Sequence, residues 1–78
     1  MNMVIEPSRP LDALNKARGK RIVVELKNEK QYIGKLNAFD IHINVVIEDA
    51  EEHEEGNLIR KLGSVFIRGD MIVLISPQ

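Results

Sequence analysis

From Lys20 onward the chain alternates apolar and polar residues with a period of two, and this constrains the fold more than any other feature. Successive side chains of a strand point to opposite faces. Ile22, Val24 and Leu26 therefore share one face and Val23, Glu25 and Lys27 the other, up to a turn at Asn28-Glu29-Lys30. A second strand is expected from Gln31 to about Phe39, with Gly34 inside it; a glycine there marks a sharp bend or a close backbone approach. A third runs from Ile43 to about Ala50, a fourth from Leu58 to Ile67, and a fifth from Met71 to Ile75, ended by Pro77. The run Glu51-Glu52-His53-Glu54-Glu55-Gly56-Asn57 reads as a solvated acidic hairpin loop. Seventeen of the 78 residues are Val or Ile, which favours a core made of strands. All five can pair antiparallel, with Met71, Val73 and Ile75 expected to face inward.

Upstream the pattern differs. Pro10 suits a first helical turn, Asp12 its positive end and Lys16 and Arg18 its negative end, with Gly19 as the stop, so a helix is expected over about 10–18. Its apolar stripe, Leu11, Leu14 and Ala17, is too narrow to stand alone and must lie on an open end of the sheet. Residues 1–8 contain Pro7 and no clear period and read as a tail. The expectation is a single domain over 1–78: all-β with one short N-terminal helix, a strongly bent five-stranded antiparallel open barrel with strands over about 20–76.

A domain this small has one thin core, and this one has no cysteine, no tryptophan and no metal-finger spacing to staple it. Self-association is the expected remedy. Strands four and five would be unclosed edges, and copies joined head to tail through such edges close into a ring when the rotation per copy divides a full turn. No apolar run is long enough to span a membrane and the N-terminus has no secretory pattern, so a cytoplasmic protein is expected. The net charge of -1 conceals an asymmetry. Residues 9–35 carry eight Lys or Arg against three acids, whereas residues 40–55 carry seven acids and no Lys or Arg. The basic half suits a polyanion.

Two short segments carry the chemistry. In Phe39-Asp40-Ile41-His42-Ile43-Asn44, strand periodicity buries Ile41 and Ile43 and presents His42 and Asn44 together. In Ile67-Arg68-Gly69-Asp70, a glycine able to adopt positive φ would make a tight turn between two apolar runs, flanked by a guanidinium and a carboxylate. Two flat cationic or aromatic groups and one amide suit a planar heterocycle, sandwiched by imidazole and guanidinium and read at its edge.

With these segments in order, the chain resembles the Sm-like (Lsm) proteins, in particular the archaeal ones. The first Sm motif is matched by Ile22 to Lys27, Gly34 and the run from Phe39 to Val46, and the second by Leu62 to Asp70. The resemblance implies a helix stacked on a bent five-stranded sheet of the SH3-type barrel kind. It also implies a homo-oligomeric ring, commonly of seven copies, that binds uridine-rich single-stranded RNA around its pore. His42 and Asn44 then match positions that stack on and hydrogen-bond uracil, Arg68 the opposing stack, and Asp70 the residue that buttresses the asparagine; Asp40 and Gly69 complete the set. If Asp70 accepts one N–H of Asn44, it fixes which end of the amide carries oxygen and so favours uracil over cytosine. Arg9 and Phe39 match a second RNA site on the helix face, where the family often has tyrosine in place of Phe39.

The alternatives are a protein-interaction barrel on the same fold, which the two full motifs disfavour, and an enzyme or metal protein. Hydrolysis would need an activated nucleophile, and neither Asp40, His42 and Asp70 nor His53 with its glutamates forms one. No catalysis, no cofactor and no metal are expected, the acids around His53 reading as solvated surface.

Overall fold

The alternation becomes a five-stranded antiparallel sheet in the order β4-β3-β2-β1-β5, preceded by a helix: α1 Pro10–Ala17, β1 Arg21–Leu26, β2 Lys30–Phe39, β3 Val45–Glu54, β4 Asn57–Ile67, a 3-10 turn Gly69–Met71, and β5 Ile72–Pro77. The structure is a computed structural model and describes residues 9–78. The tail expected over residues 1–8 lies outside them. In β1 the expected face is buried: Ile22, Val24 and Leu26 join Leu36, Val45, Ile47, Ala50 and Ile67 in the core. Helix α1 closes one end with Leu14 and Ala17. Among the described residues, no helix is long and apolar enough to cross a membrane.

The bend sits where Gly34 crosses β3. A methyl group there would lie 2.7 Å from the carbonyl oxygen of Glu48 and 3.1 Å from the Cα of Ala50, backbone atoms that cannot swing aside. The β2–β3 register slips at the same place, between Ile33 and Lys35. Only glycine lets the two strands come this close, and the slip sharpens the local twist.

Two expectations fail in the sheet. The acidic run is not a loop, because β3 continues through Glu54 and turns only at Glu55-Gly56. In that extension Glu52 is 2% exposed and faces the core side, accepting a hydrogen bond from Arg60 Nε at 2.7 Å and an ion pair from Lys30 Nζ at 3.3 Å. Arg60 and Tyr32 stand opposite it on the neighbouring strands. The Arg60 guanidinium, followed by Lys30, holds the Glu52 carboxyl below the usual carboxylate range, while burial and then the nearby Glu52 charge push the Tyr32 hydroxyl up. Glu51 points to the other face, where its carboxylate meets His53 Nε2 at 3.1 Å and Arg21 at 3.8 Å. Alternation places successive glutamates on opposite faces, and cross-strand cations make strand burial tolerable.

The second failure is the inward face of β5. Ile72 and Ile75 pack on the core, whereas Met71, Val73 and Leu74 are exposed. Ile75 pairs with Val24 and Ile72 with Leu26, so Val73 is the extra residue of a bulge. A bulge flips the facing of everything beyond it.

The edges of the sheet are β4 and β5, as expected. Large exposed apolar side chains concentrate there: Leu58, Ile59 and Phe66 on β4, and Val73 and Leu74 on β5.

Candidate nucleic-acid interface

The chain leaves β2 after Phe39 and enters β3 at Val45, and Asp40 shapes everything between. Its Oδ1 accepts the backbone N–H groups of His42 at 2.8 Å and Asn44 at 3.1 Å, and its backbone carbonyl accepts the N–H of Ile43 at 3.0 Å. Aspartate is suited to this work because its short carboxylate reaches the backbone two residues ahead. The expectation that Ile41 and Ile43 are buried by strand alternation therefore fails in part. The segment is a turn, Ile41 is 74% exposed, and Ile43, at φ 62°, is half-buried against the core.

The second segment arrives from the far end of the sheet. Arg68-Gly69-Asp70 is not a positive-φ hairpin turn, since β4 and β5 are opposite edges and residues 69–71 form a 3-10 turn. Gly69 is required for proximity instead. A methyl group on it would overlap the carbonyl oxygen of His42 and lie 2.8 Å from the carbonyl carbon of Ile43. That closeness brings the Gly69 N–H to 2.8 Å from Asn44 Oδ1, to which it donates.

The amide of Asn44 is thereby held at both ends. Its Nδ2 donates to Asp40 Oδ2 at 3.0 Å and its Oδ1 accepts from Gly69. A carboxylate can only accept and a backbone N–H can only donate, so the two partners permit a single amide orientation. The buttress is Asp40, which corrects the role expected of Asp70: the Asp70 carboxylate pairs instead with the Arg68 guanidinium at 3.2 Å. The Asn44 amide, helped by the backbone N–H groups of His42 and Asn44, holds the Asp40 carboxyl below the usual carboxylate range. One N–H and one lone pair of the Asn44 amide remain to offer.

His42, Asn44, Arg68, Gly69 and Asp70 line one pocket of about 440 Å³. Of the pair expected on the helix face, Arg9 lines a groove of about 550 Å³ with Pro10, Leu11, Asp12, Ile41 and Ile43, and its Nε lies 3.4 Å from Asp12 Oδ2. Phe39 is not in that lining. It packs, half-buried, against the core, and the residue missed in its place is Ile41, which strand alternation had assigned to the interior. Among the described residues, no three or more His, Cys, Asp or Glu side chains come together as a metal site.

A model of the LSM domain matches residues 12–77. The chain belongs to the LSM domain family. An snRNP Sm-like protein of Archaeoglobus fulgidus is 48% identical over 71 residues, covering 91% of this chain and 92% of that protein. Among solved structures, this LSM domain is similar to a Pyrococcus abyssi Sm protein in complex with a uridine heptamer, with a TM-score of 0.89, 39% identity and coverage of 91% of this chain and 100% of that one. It is also similar to the P. aerophilum SmAP1 heptamer, with a TM-score of 0.83, 36% identity and coverage of 88% and 92%.

Proposed function

We propose that this LSM domain protein forms a homomeric ring, of seven copies as in its relatives, and binds uridine-rich single-stranded RNA with one base per pocket, as a scaffold or chaperone in RNA processing. The observation that carries the reading is the Asn44 amide, fixed by Asp40 and Gly69 between the flat groups of His42 and Arg68. Uracil offers an N3–H donor beside a carbonyl acceptor, matching the remaining lone pair and N–H of that amide. Cytosine at the same depth offers the reverse pattern, and the amide cannot turn to meet it. Stacking between imidazole and guanidinium contributes roughly 1–3 kcal/mol per base without regard to sequence.

Assembly follows from the apolar edges. Phe66 on β4 is 64% exposed and Val73 on β5 is 58% exposed, and joining β4 of one copy to β5 of the next covers both. A ring gathers identical pockets, so a strand long enough to reach several gains affinity through effective concentration. The reading places the protein in the cytoplasm, requires no catalytic step, and leaves Arg9 and the groove beside it as a second, helix-side contact for the same RNA.

Native mass spectrometry and filter binding test it. A seven-copy particle that binds oligo-U well above oligo-C and oligo-A, with affinity rising with length, is the expected result. A monomer at micromolar concentration refutes the ring. Equal weak binding of all three oligonucleotides refutes the pocket and favours a protein-interaction barrel.

A further inference from the structure

Ile43 adopts a backbone conformation that a β-branched residue rarely adopts, φ 62°, and it does so between the two residues that present imidazole and amide to the pocket. Branching at Cβ crowds the left-handed backbone, so such a residue persists only where its surroundings overdetermine it. Here they do so from two sides. The Ile43 side chain packs on the core and faces α1, lining one groove with Leu11 and another with Pro10, Ala13 and Leu14. Behind it, the backbone of Gly69 lies so close that a methyl group there would sit 2.8 Å from the Ile43 carbonyl carbon. Asp40 closes the turn through the Ile43 N–H.

We propose that Ile43 is the positioning residue of the base pocket: a wedge seated on the core and facing the first turns of α1 that sets the distance from the His42 and Asn44 side chains to the Arg68-Gly69 backbone. His42 and Gly69 line both the base pocket and the groove beside α1, whereas Ile43 lines only the helix-side grooves, so Ile43 is the residue of the turn that meets helix-side packing without itself lining the pocket. The inference rests on the pocket reading above for its effect on RNA, but its geometric claim stands apart from any ligand. The hydrogen bond from Gly69 N–H to Asn44 Oδ1, 2.8 Å long, reports the spacing directly.

Three variants test it. Ile43→Leu keeps the volume and removes the branch at Cβ. Ile43→Asn tolerates the left-handed backbone but removes the apolar wedge. Leu11→Ala loosens the wedge from the helix side without touching the loop. Amide hydrogen exchange of Gly69 is measured first, without RNA, on rings verified by native mass spectrometry; oligo-U and oligo-C affinities follow. For Ile43→Asn, Gly69 protection and oligo-U affinity should each fall about tenfold, with the preference for U over C narrowed. Ile43→Leu should stay within about threefold of wild type, as volume-conserving core exchanges do. Leu11→Ala should move both readouts in the same direction as Ile43→Asn and add little to it. Wild-type Gly69 protection in Ile43→Asn, or in Leu11→Ala where Ile43→Asn does not assemble, overturns the proposal. Lost protection in a protein whose wild type binds no oligo-U would instead keep the wedge and overturn the pocket reading.

Discussion

Replacing Gly69 with alanine tests the contact on which the pocket depends. The added methyl would overlap the His42 carbonyl oxygen and lie 2.8 Å and 2.9 Å from the carbon and oxygen of the Ile43 carbonyl. All three neighbours are backbone. Restoring ordinary contact requires the two segments to part by roughly 0.6 Å or more, as judged against normal carbon separations of about 3.5 Å. The Gly69 N–H to Asn44 Oδ1 distance of 2.8 Å would then exceed about 3.4 Å, where a hydrogen bond is largely spent. Overpacking of this kind costs about 1–3 kcal/mol and the lost hydrogen bond about 0.5–1.5 kcal/mol, giving a destabilisation near 3 kcal/mol. Because the Asn44 amide is released at its oxygen end, selectivity should fall together with stability. Denaturant unfolding at fixed subunit concentration measures the first, and filter binding of oligo-U against oligo-C the second. A Gly69→Ala protein with wild-type stability and an unchanged U over C ratio would refute the reasoning, because the backbone approach would then not define the pocket.

Three further outcomes follow from the same geometry. Asp40→Asn should narrow the gap between oligo-U and oligo-C, since an amide nitrogen would face Asn44 Nδ2, whereas Asp70→Asn should leave the ratio intact; the reverse pattern would restore Asp70 as the buttress. On acidification, the Asp40 carboxylate, whose folded pKa lies below its unfolded value of about 4, stabilises the loop above that value and ceases to do so as pH falls through the folded pKa. The U over C ratio should thus be level from about pH 8 to 5, and a pH titration of both affinities that declines already near neutrality would contradict this. In the β3–β4 hairpin, Glu52→Gln should lower the melting temperature clearly while Glu55→Gln leaves it within about 0.5 kcal/mol of wild type in stability. Equal melting temperatures would mean that the carboxylate between Arg60 and Lys30 contributes nothing.

Period two was enough to read the strand count and the two open edges, end signals from Pro10 to Gly19 gave the helix, and a glycine inside a strand gave the bend at Gly34, because each depends on local pattern or on a residue type with a single physical use. The pocket's members were readable too, since His42, Asn44 and Arg68 fall in motifs whose order is itself informative. What the pattern could not carry was pairing between distant residues. Asp40 and Asp70 both flank the pocket in sequence, and only the short loop closing from 40 to 44 decides that the nearer one holds the amide. An aspartate four residues before the asparagine, with a turn between, was the available signal. The acidic run was misread for a related reason: Glu52 becomes buried only because Arg60 and Lys30 arrive beside it from other strands, at cross-strand positions invisible to composition. The facing of β5 turned on one bulged residue, Val73, and a single insertion leaves no trace in alternation.

The strand order β4-β3-β2-β1-β5 gives each copy two unlike edges on opposite ends of one sheet. An assembly made by joining them has direction, like a chain of hooks and eyes. A copy with only its β5 edge blocked would still be accepted through β4, and would then offer nothing to the next. Such a subunit does not merely fail to assemble; it terminates whatever it joins. A small admixture of it should therefore deplete closed rings far beyond its own share of the protein.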